Sequence, residues 1–471
     1  MQPTSSAFIT NARKALSDVT LQEALKRLQT GFVESRTRAA ARIPEFEALC
    51  DQARDIKDHV LANLDVYLEI FEAQCKTQGG NVHWCRDTDE VRQTVLKICQ
   101  ATKAKTVTKG KSMIGEEIAI NEYLEANGIR AIETDLGEYI IQLRNEAPSH
   151  IIAPATHVSK QQVADAFRST HTKLNPERRL TEPDDLLSEA RATLRSQFLN
   201  ADVGITGANF LVAETGTSVI VTNEGNGDLT QILPRVHIVL ASLEKVVPTL
   251  ADVTALLRVL ARSATGQEMS SYTTFSTGPK RAADADGPDE YHVILLDNGR
   301  CKLLNTEFKE ILRCIRCGAC LNHCPVYNAI GGHAYGWVYP GPMGSVLSPG
   351  LIGIENTKHL PQASTLCGKC EEVCPVRIPL PNLLRNWRFH VHDQNLMDWK
   401  TNWGIKIWAY FAKRSKLYQF VTRYTLAILA LGFGRKGRYK DLPFSKAWTR
   451  NRDIPAPQGK TFMDQWREQN K

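Results

Sequence analysis

The run Cys314-Ile315-Arg316-Cys317-Gly318-Ala319-Cys320-Leu321-Asn322-His323-Cys324-Pro325 decides how the C-terminal part of this chain folds. Its spacing is C-x2-C-x2-C-x3-C-P, in which three close thiolates wrap three irons of a cubane and the fourth, turned away by the proline, ligates another cluster. A partner run follows at Cys367-Gly368-Lys369-Cys370-Glu371-Glu372-Val373-Cys374-Pro375. Cross-ligation assigns Cys314, Cys317, Cys320 and Cys374 to cluster one, and Cys324, Cys367 and Cys370 to cluster two. The second run is one cysteine short, and the vacant place falls on Ser364. Three thiolates hold a three-iron cluster, or a four-iron cluster whose last iron takes serine, water or a partner-derived ligand. Structural zinc favours isolated C-x2-C pairs with four ligands per ion; two proline-terminated runs argue for iron and sulfur instead.

Seven of the twelve cysteines lie between Cys314 and Cys374, and such crowding in a 471-residue chain points to metal binding rather than a disulfide framework. Cys301, thirteen positions before the run, reads as a packed free thiol. Cys50, Cys75, Cys85 and Cys99 share no ligand spacing and read as small buried hydrophobes. Between the two runs, residues 331–350 hold six glycines and three prolines, which predicts an ordered loop rather than a helix.

Upstream, the pattern changes. The first 65 or so residues read as helix, with a capping box at Thr20-Leu21-Gln22-Glu23. From about residue 70 to 298, helical and extended patterns alternate. Helices are expected at 89–103, 116–127, 184–200 and on the face Leu250, Val253, Leu256, Leu257, Leu260; strands at 106–108, 129–133, 139–143, 208–212, 218–222, 235–241 and 292–296. Alternation of this kind predicts an α/β domain on a largely parallel sheet. Asn223-Glu224-Gly225-Asn226-Gly227-Asp228 predicts a tight turn in an inserted hairpin. The expected layout is a helical leader at 1–68, the α/β domain at 69–300, an α-helical two-cluster module at 301–395 and a helical tail at 396–471.

Composition agrees with a globular chain: 42% hydrophobic, 23% charged, net charge +7, which argues against disorder and fibrous repeats. No basic start followed by an apolar stretch marks the N-terminus, and the most apolar stretch, 426–433, is far shorter than the roughly 20 residues of a membrane span. A cytoplasmic protein is expected.

Lys109-Gly110-Lys111-Ser112 resembles the end of a phosphate-binding P-loop, but Lys105 stands where that motif needs glycine. Gly204-Ile205-Thr206-Gly207 is read as loop glycines, and no G-x-G-x-x-G supports a dinucleotide site. A denser polar set, Glu133-Thr134-Asp135, Asn209, Glu214-Thr215-Gly216-Thr217, Asn223-Glu224 and Ser263-Ala264-Thr265-Gly266-Gln267, lies at predicted strand ends and turns, where α/β folds place ligand groups. A small-molecule pocket and ordinary turn chemistry both account for it, and no catalytic nucleophile, acid or base is assigned.

With these residues in view, the chain resembles the iron-sulfur subunit of the bacterial L-lactate utilisation system, the LutB/LldF family. The resemblance rests on Glu133-Thr134-Asp135-Leu136-Gly137-Glu138, Pro148-Ser149-His150, Gly204-Ile205-Thr206-Gly207-Ala208-Asn209, Thr222-Asn223-Glu224-Gly225-Asn226, Ser263-Ala264-Thr265-Gly266-Gln267, the first cysteine run and Gly331-Gly332-His333-Ala334-Tyr335-Gly336. It implies a lactate-utilisation (LUD) domain, related in fold to sugar-phosphate isomerases and coenzyme A transferases, joined to a ferredoxin-like module with two 4Fe-4S clusters. It also implies two companion proteins, one cysteine-rich and one a small LUD protein, acting together in oxidation of L-lactate to pyruvate. This subunit would carry electrons towards a respiratory acceptor, as a non-catalytic component. A stand-alone LUD enzyme with structural or regulatory clusters is the alternative.

Residues 385–471 carry eighteen Lys and Arg against six Asp and Glu, +12, which leaves −5 for the rest. Six of the eight tryptophans fall there: Trp387, Trp399, Trp403, Trp408, Trp448 and Trp466. Cationic charge with interleaved aromatics suits a partner subunit or the anionic inner face of the cell membrane, peripherally. Nucleic acid is not an expected partner, because no recognition module is visible.

Overall fold

The computed structural model describes residues 3–433, 437–439, 453–457 and 459–470. Apolar, β-branched runs form ten strands between Asn81 and Leu296: β1 (Asn81–Cys85), β2 (Thr106–Gly110), β3 (Arg130–Glu133), β4 (Val203–Gly207), β5 (Phe210–Val212), β6 (Thr217–Thr222), β7 (Val236–Ser242), β8 (Val246–Val247), β9 (Tyr272–Ser276) and β10 (Glu290–Leu296). Six make a sheet in the order β1-β10-β7-β4-β2-β3, parallel throughout. A smaller sheet, β8-β5-β6-β9, contains the hairpin β5-β6.

Both faces of the parallel sheet are covered, so its central strands read as continuous apolar runs. Val236, Ile238 and Leu240 of β7 pack with Val91, Val95 and Cys99 of the helix Thr88–Ala101. Val239 and Ala241, pointing the other way, pack with Phe71 and Cys75 of the helix Leu64–Thr77. The four cysteines read as small hydrophobes, Cys50, Cys75, Cys85 and Cys99, are all buried, whereas Cys301 is exposed rather than packed; it stands on the solvent side of the short helix Arg300–Leu304.

Several local expectations are corrected. Residues 139–143 belong to the helix Leu136–Leu143, started by Asp135, whose Oδ1 accepts from Gly137 N at 3.0 Å; a short apolar run does not reveal its own period. Asn223–Asp228 is no hairpin turn, since the helix Asn226–Ile232 begins there and β6 and β7 lie in different sheets. Gly204 to Gly207 is the buried strand β4 rather than loop. Its glycines admit close neighbours: a Cβ on Gly204 would lie 1.9 Å from Thr230 O, and one on Gly207 2.5 Å from Lys111 O. The glycine- and proline-rich stretch after 331 contains the buried helix Gly341–Ile352, with Pro342 in its first turn, where a missing N–H costs nothing. The N-terminal helix Val19–Ala41 is capped by Asp18, which accepts from Leu21 N, and not by Thr20.

The N-terminal helices clasp the cysteine-bearing segment. Ser5 Oγ donates to Tyr335 O at 2.9 Å, Gln22 Nε2 to Ala329 O at 2.8 Å and Arg36 Nη2 to Val373 O at 3.0 Å. The turn at 297–300 is equally tied in, with Asn298 and Arg300 both bonded to Glu117. Residues up to Val391 thus form one compact unit. Trp387 belongs to it: the indole stacks on Phe308 at 3.8 Å and donates to Val346 O.

His392–Lys471 forms a second unit. It contains the helices Trp399–Ala412, Ser415–Phe433 and Phe462–Gln469. Trp399, Trp403, Trp408 and Trp466 are exposed; Trp448 lies outside the described residues. Among the described residues no helix is long and apolar enough to cross a membrane.

Candidate functional site

The two cysteine runs repeat one backbone shape. Arg316 and Leu366, each before the second position of its run, have positive φ of 60° and 54°; Gly318 and Gly368 follow with 76° and 85°. These left-handed turns bring amides round to the side chain that opens each run: Arg316 N donates to Cys314 Sγ at 3.4 Å, and Leu366 N to Ser364 Oγ at 3.1 Å. Short helices Ala319–Asn322 and Lys369–Glu372 then present the next cysteine of each run.

Cys314, Cys317, Cys320 and Cys374 line one small apolar cavity, walled by Ile151, Met343 and Ile378. Burial pushes the Cys374 thiol up to about 11, against the amides of Ile378 and Val376, which favour its thiolate. Cys324, Cys367 and Cys370 form the other neighbourhood: burial, then the Cys324 and Cys367 thiols, push Cys370 up to about 12. Among the described residues, no three metal-ligating side chains converge as a single bare ion requires. Soft thiols bordering a shared space, with backbone amides directed at sulfur, suit an iron-sulfur cluster. The first set is mostly buried, whereas Cys367 is exposed.

A second cavity, of about 190 Å³, lies at the C-terminal ends of the parallel strands. Lys111 follows β2, Asp135 follows β3, Asn209 follows β4, Ser242 ends β7 and Lys245 stands three residues beyond it; all line it, and so does Cys317. The cavity of the α/β domain therefore touches Cys317 of the first thiol set. Ile151 borders both cavities, and the neighbouring His150 bonds to Asn322 at 2.9 Å. Burial pulls His150 down to about 4.

Of the polar set singled out in the sequence, Asp135, Asn209, Asn223, Thr265 and Gln267 meet at this cavity. Asn223 and Gln267 form a reciprocal amide pair at 3.0 and 3.1 Å. The others do structural work: Glu214 accepts from Leu250 N at 2.6 Å, Thr217 bonds Thr277 at 2.7 Å, and Glu133 pairs with Lys109 at 2.7 Å. Burial opposes ionisation of both Asp135 and Glu138. Glu138 and Lys111 nevertheless hold Asp135 low, while burial and Asp135 push Glu138 well up, so the pair shares one proton.

Sequence reasoning missed Lys245, Arg316 and their surroundings. Arg316 Nη2 meets Glu244 Oε1 at 3.1 Å, Arg300 Nε meets Glu244 Oε2 at 3.1 Å, and the Arg316 guanidinium lies 5.0 Å over the Tyr339 ring. Burial opposes the Glu244 charge, but Arg300 and Arg316 hold its carboxyl down at about 2. Burial, then the Arg316 charge, pull Lys245 down to about 7. The signal was the charged pair Glu244-Lys245 set between the apolar strands β7 and β8.

Comparison with known proteins agrees with this arrangement. Residues 68–296 match the LUD domain family, and 310–378 match the 4Fe-4S dicluster domain family. The chain is 41% identical to lactate utilization protein B of Macrococcus caseolyticus, over 98% of this chain and 96% of that one. It is 39% identical to the uncharacterized electron transport protein YkgF of Escherichia coli K12, over 98% and 96%. A solved DUF162 family protein from Deinococcus radiodurans is 13% identical, covering 50% of this chain and 98% of that one, at a TM-score of 0.27. The chain, a LUD domain followed by a 4Fe-4S dicluster domain, belongs to the lactate utilization protein B family.

Proposed function

We propose that this chain is the iron-sulfur electron-transfer subunit of an L-lactate oxidation system, working with a cysteine-rich protein and a small LUD protein and passing electrons towards the respiratory chain. The observation that carries the reading is the position of the two thiol sets. The first reaches the cavity of the α/β domain through Cys317, and the second reaches the surface at Cys367. Such an order suits entry at one end and delivery to a partner at the other. The relatives' names, a lactate utilization protein and an electron transport protein, support it.

Cys314, Cys317, Cys320 and Cys374 would hold cluster one, and Cys324, Cys367 and Cys370 cluster two. Ser364 stands in the second run where Cys314 stands in the first, with the same turn and the same amide bond; this supports a four-iron cluster with Ser364 as its fourth ligand. When bound, the clusters supply one-electron acceptance and release. The chain's own part is to bury one set, expose the other and direct amides at sulfur.

Anaerobic reconstitution, iron analysis and EPR test the cofactor assignment, with zinc and no cluster signal as the refuting result. Lactate-dependent reduction of the clusters in the complex purified from its host tests the role. The alternative, a stand-alone enzyme, is favoured by the cavity at the strand ends, with Lys111, Asp135, Asn209 and Lys245 on its wall, and predicts lactate turnover with an artificial acceptor by this chain without companions.

A further inference from the structure

We infer that the cavity at the C-terminal ends of β2, β3, β4 and β7 binds a small carboxylate-bearing metabolite, whose carboxylate is held by Lys245 beside Cys317. The place is the one where parallel α/β sheets receive ligands. At about 190 Å³ the cavity is smaller than the roughly 300–1,000 Å³ of drug-sized sites, which selects a small metabolite over a nucleotide.

The free donors on the cavity wall select an acceptor-bearing ligand. Lys109 is matched by Glu116 and Glu133, Lys111 by Asp135 and Glu224, and Arg300 and Arg316 share Glu244. Lys245 lines the same cavity, is 8% exposed, and its ammonium has no hydrogen bond or ion pair among the described residues. An ammonium buried without a hydrogen-bond acceptor is costly, and an acceptor supplied from outside completes its bonding. Two further polar groups on the walls are free. Ser242 Oγ has no hydrogen-bond partner among the described residues. Asn209 spends Oδ1 on Val221 N at 2.9 Å, which leaves its NH2 to donate. An ammonium, an amide NH2 and a hydroxyl suit an acceptor-rich ligand. Asp135 in the same wall disfavours the second charge of a phosphate, leaving a monocarboxylate as the better fit.

The inference leans on the proposed function only for its probes, L-lactate and pyruvate. The test uses the full chain, reconstituted anaerobically, with titration calorimetry for binding and EPR-monitored reductive titration for cluster one. The expected result is binding of lactate or pyruvate in preference to neutral lactamide and to inorganic phosphate. Lys245→Met and Asn209→Ala should each weaken it, Lys245→Met by at least about tenfold, with iron content unchanged. A negative ligand beside the cluster should also lower its midpoint potential in the wild type and less so in Lys245→Met. No carboxylate binding by the wild type, equal binding of lactamide, preference for phosphate, or undiminished binding by both variants would overturn it. Should Lys245→Met lose iron, Asn209→Ala decides. Lactate-dependent cluster reduction in the complex without carboxylate binding by this chain refutes this inference alone. Binding without such reduction refutes the electron-transfer reading alone.

Discussion

Arg300 Nη2 lies 2.8 Å from Glu117 Oε2, with the two side chains only 1% and 0% exposed, and the contact joins positions 183 residues apart. Asn298 and Tyr339 also donate to Glu117, so the carboxylate is enclosed by three donors more than 180 residues away in the chain. Removing Arg300 leaves the Glu117 carboxylate buried without a counter-charge, whereas Arg300 without Glu117 keeps only Glu244. Arg300→Met is expected to cost about 3–5 kcal/mol in chemical denaturation, and the double variant Glu117→Met/Arg300→Met clearly less than the sum of the two single changes. Additive costs would show that the pair is not coupled.

The strand β4 makes a backbone prediction. Gly204→Ala would drive a methyl group into Thr230 O, which is main chain and cannot swing aside. A loss of about 1–3 kcal/mol is expected in thermal or denaturant unfolding. Gly225→Ala, where nothing lies within 4 Å, serves as the control and should change stability by no more than about 0.5 kcal/mol.

Cross-ligation has its own signature. Cys374→Ala, in the second run, should abolish the cluster bordered by Cys314, Cys317 and Cys320, while Cys324→Ala, in the first run, should abolish the other. Each should lower iron to about half and remove a different EPR signal. Ser364→Ala should convert the second cluster to a three-iron form, and Ser364→Cys should restore four irons. Loss of the same signal in both cysteine variants would refute the assignment.

Acid sensitivity should trace in part to His237. This ring is buried on β7, its Nε2 2.8 Å from Thr206 Oγ1, and burial, with His292 nearby, pulls its pKa to about 3. The unfolded chain, at about 6.5, then binds more protons than the folded one between these values. Its contribution is complete above pH 6.5 and is lost as pH falls towards 3, on the order of a few kcal/mol. His237→Gln should flatten the fall of stability over that window, and an unchanged slope would count against this assignment.

Deleting residues 396–471 should leave iron content and both cluster signals intact, because all seven cysteines of the two runs lie before Val391. It should abolish sedimentation with anionic lipid vesicles or with the companion proteins, through loss of exposed Trp399, Trp403 and Trp408 and their flanking lysines. Unchanged association would exclude the tail as a docking element.

Much of this was legible in residues alone, for physical reasons. Long amphipathic helices such as Leu250–Ala264 announce their period, and β10 its apolar run. The cysteine spacing is chemistry written directly into sequence. Short elements were less readable: Tyr139, Ile140 and Ile141 suit strand and helix alike until Asp135 caps the turn. The glycines of β4 looked like loop because the neighbour that requires them, Thr230, is 26 positions away in the chain. The cavity was half-visible. Its amides sit in recognisable turns, but Lys245 and Arg316 meet only because the cysteine segment folds back onto the sheet.

The clasp formed by the N-terminal helices carries a consequence for biosynthesis. Thr4, Gln22 and Arg36 leave the ribosome early, yet their partners Gly336, Ala329 and Val373 emerge more than 300 residues later. Contacts of such separation close late, because the intervening chain has to be ordered first. The segment that carries the cysteines is therefore enclosed only after both ends of the clasp exist, and the first helices made are the last to be seated.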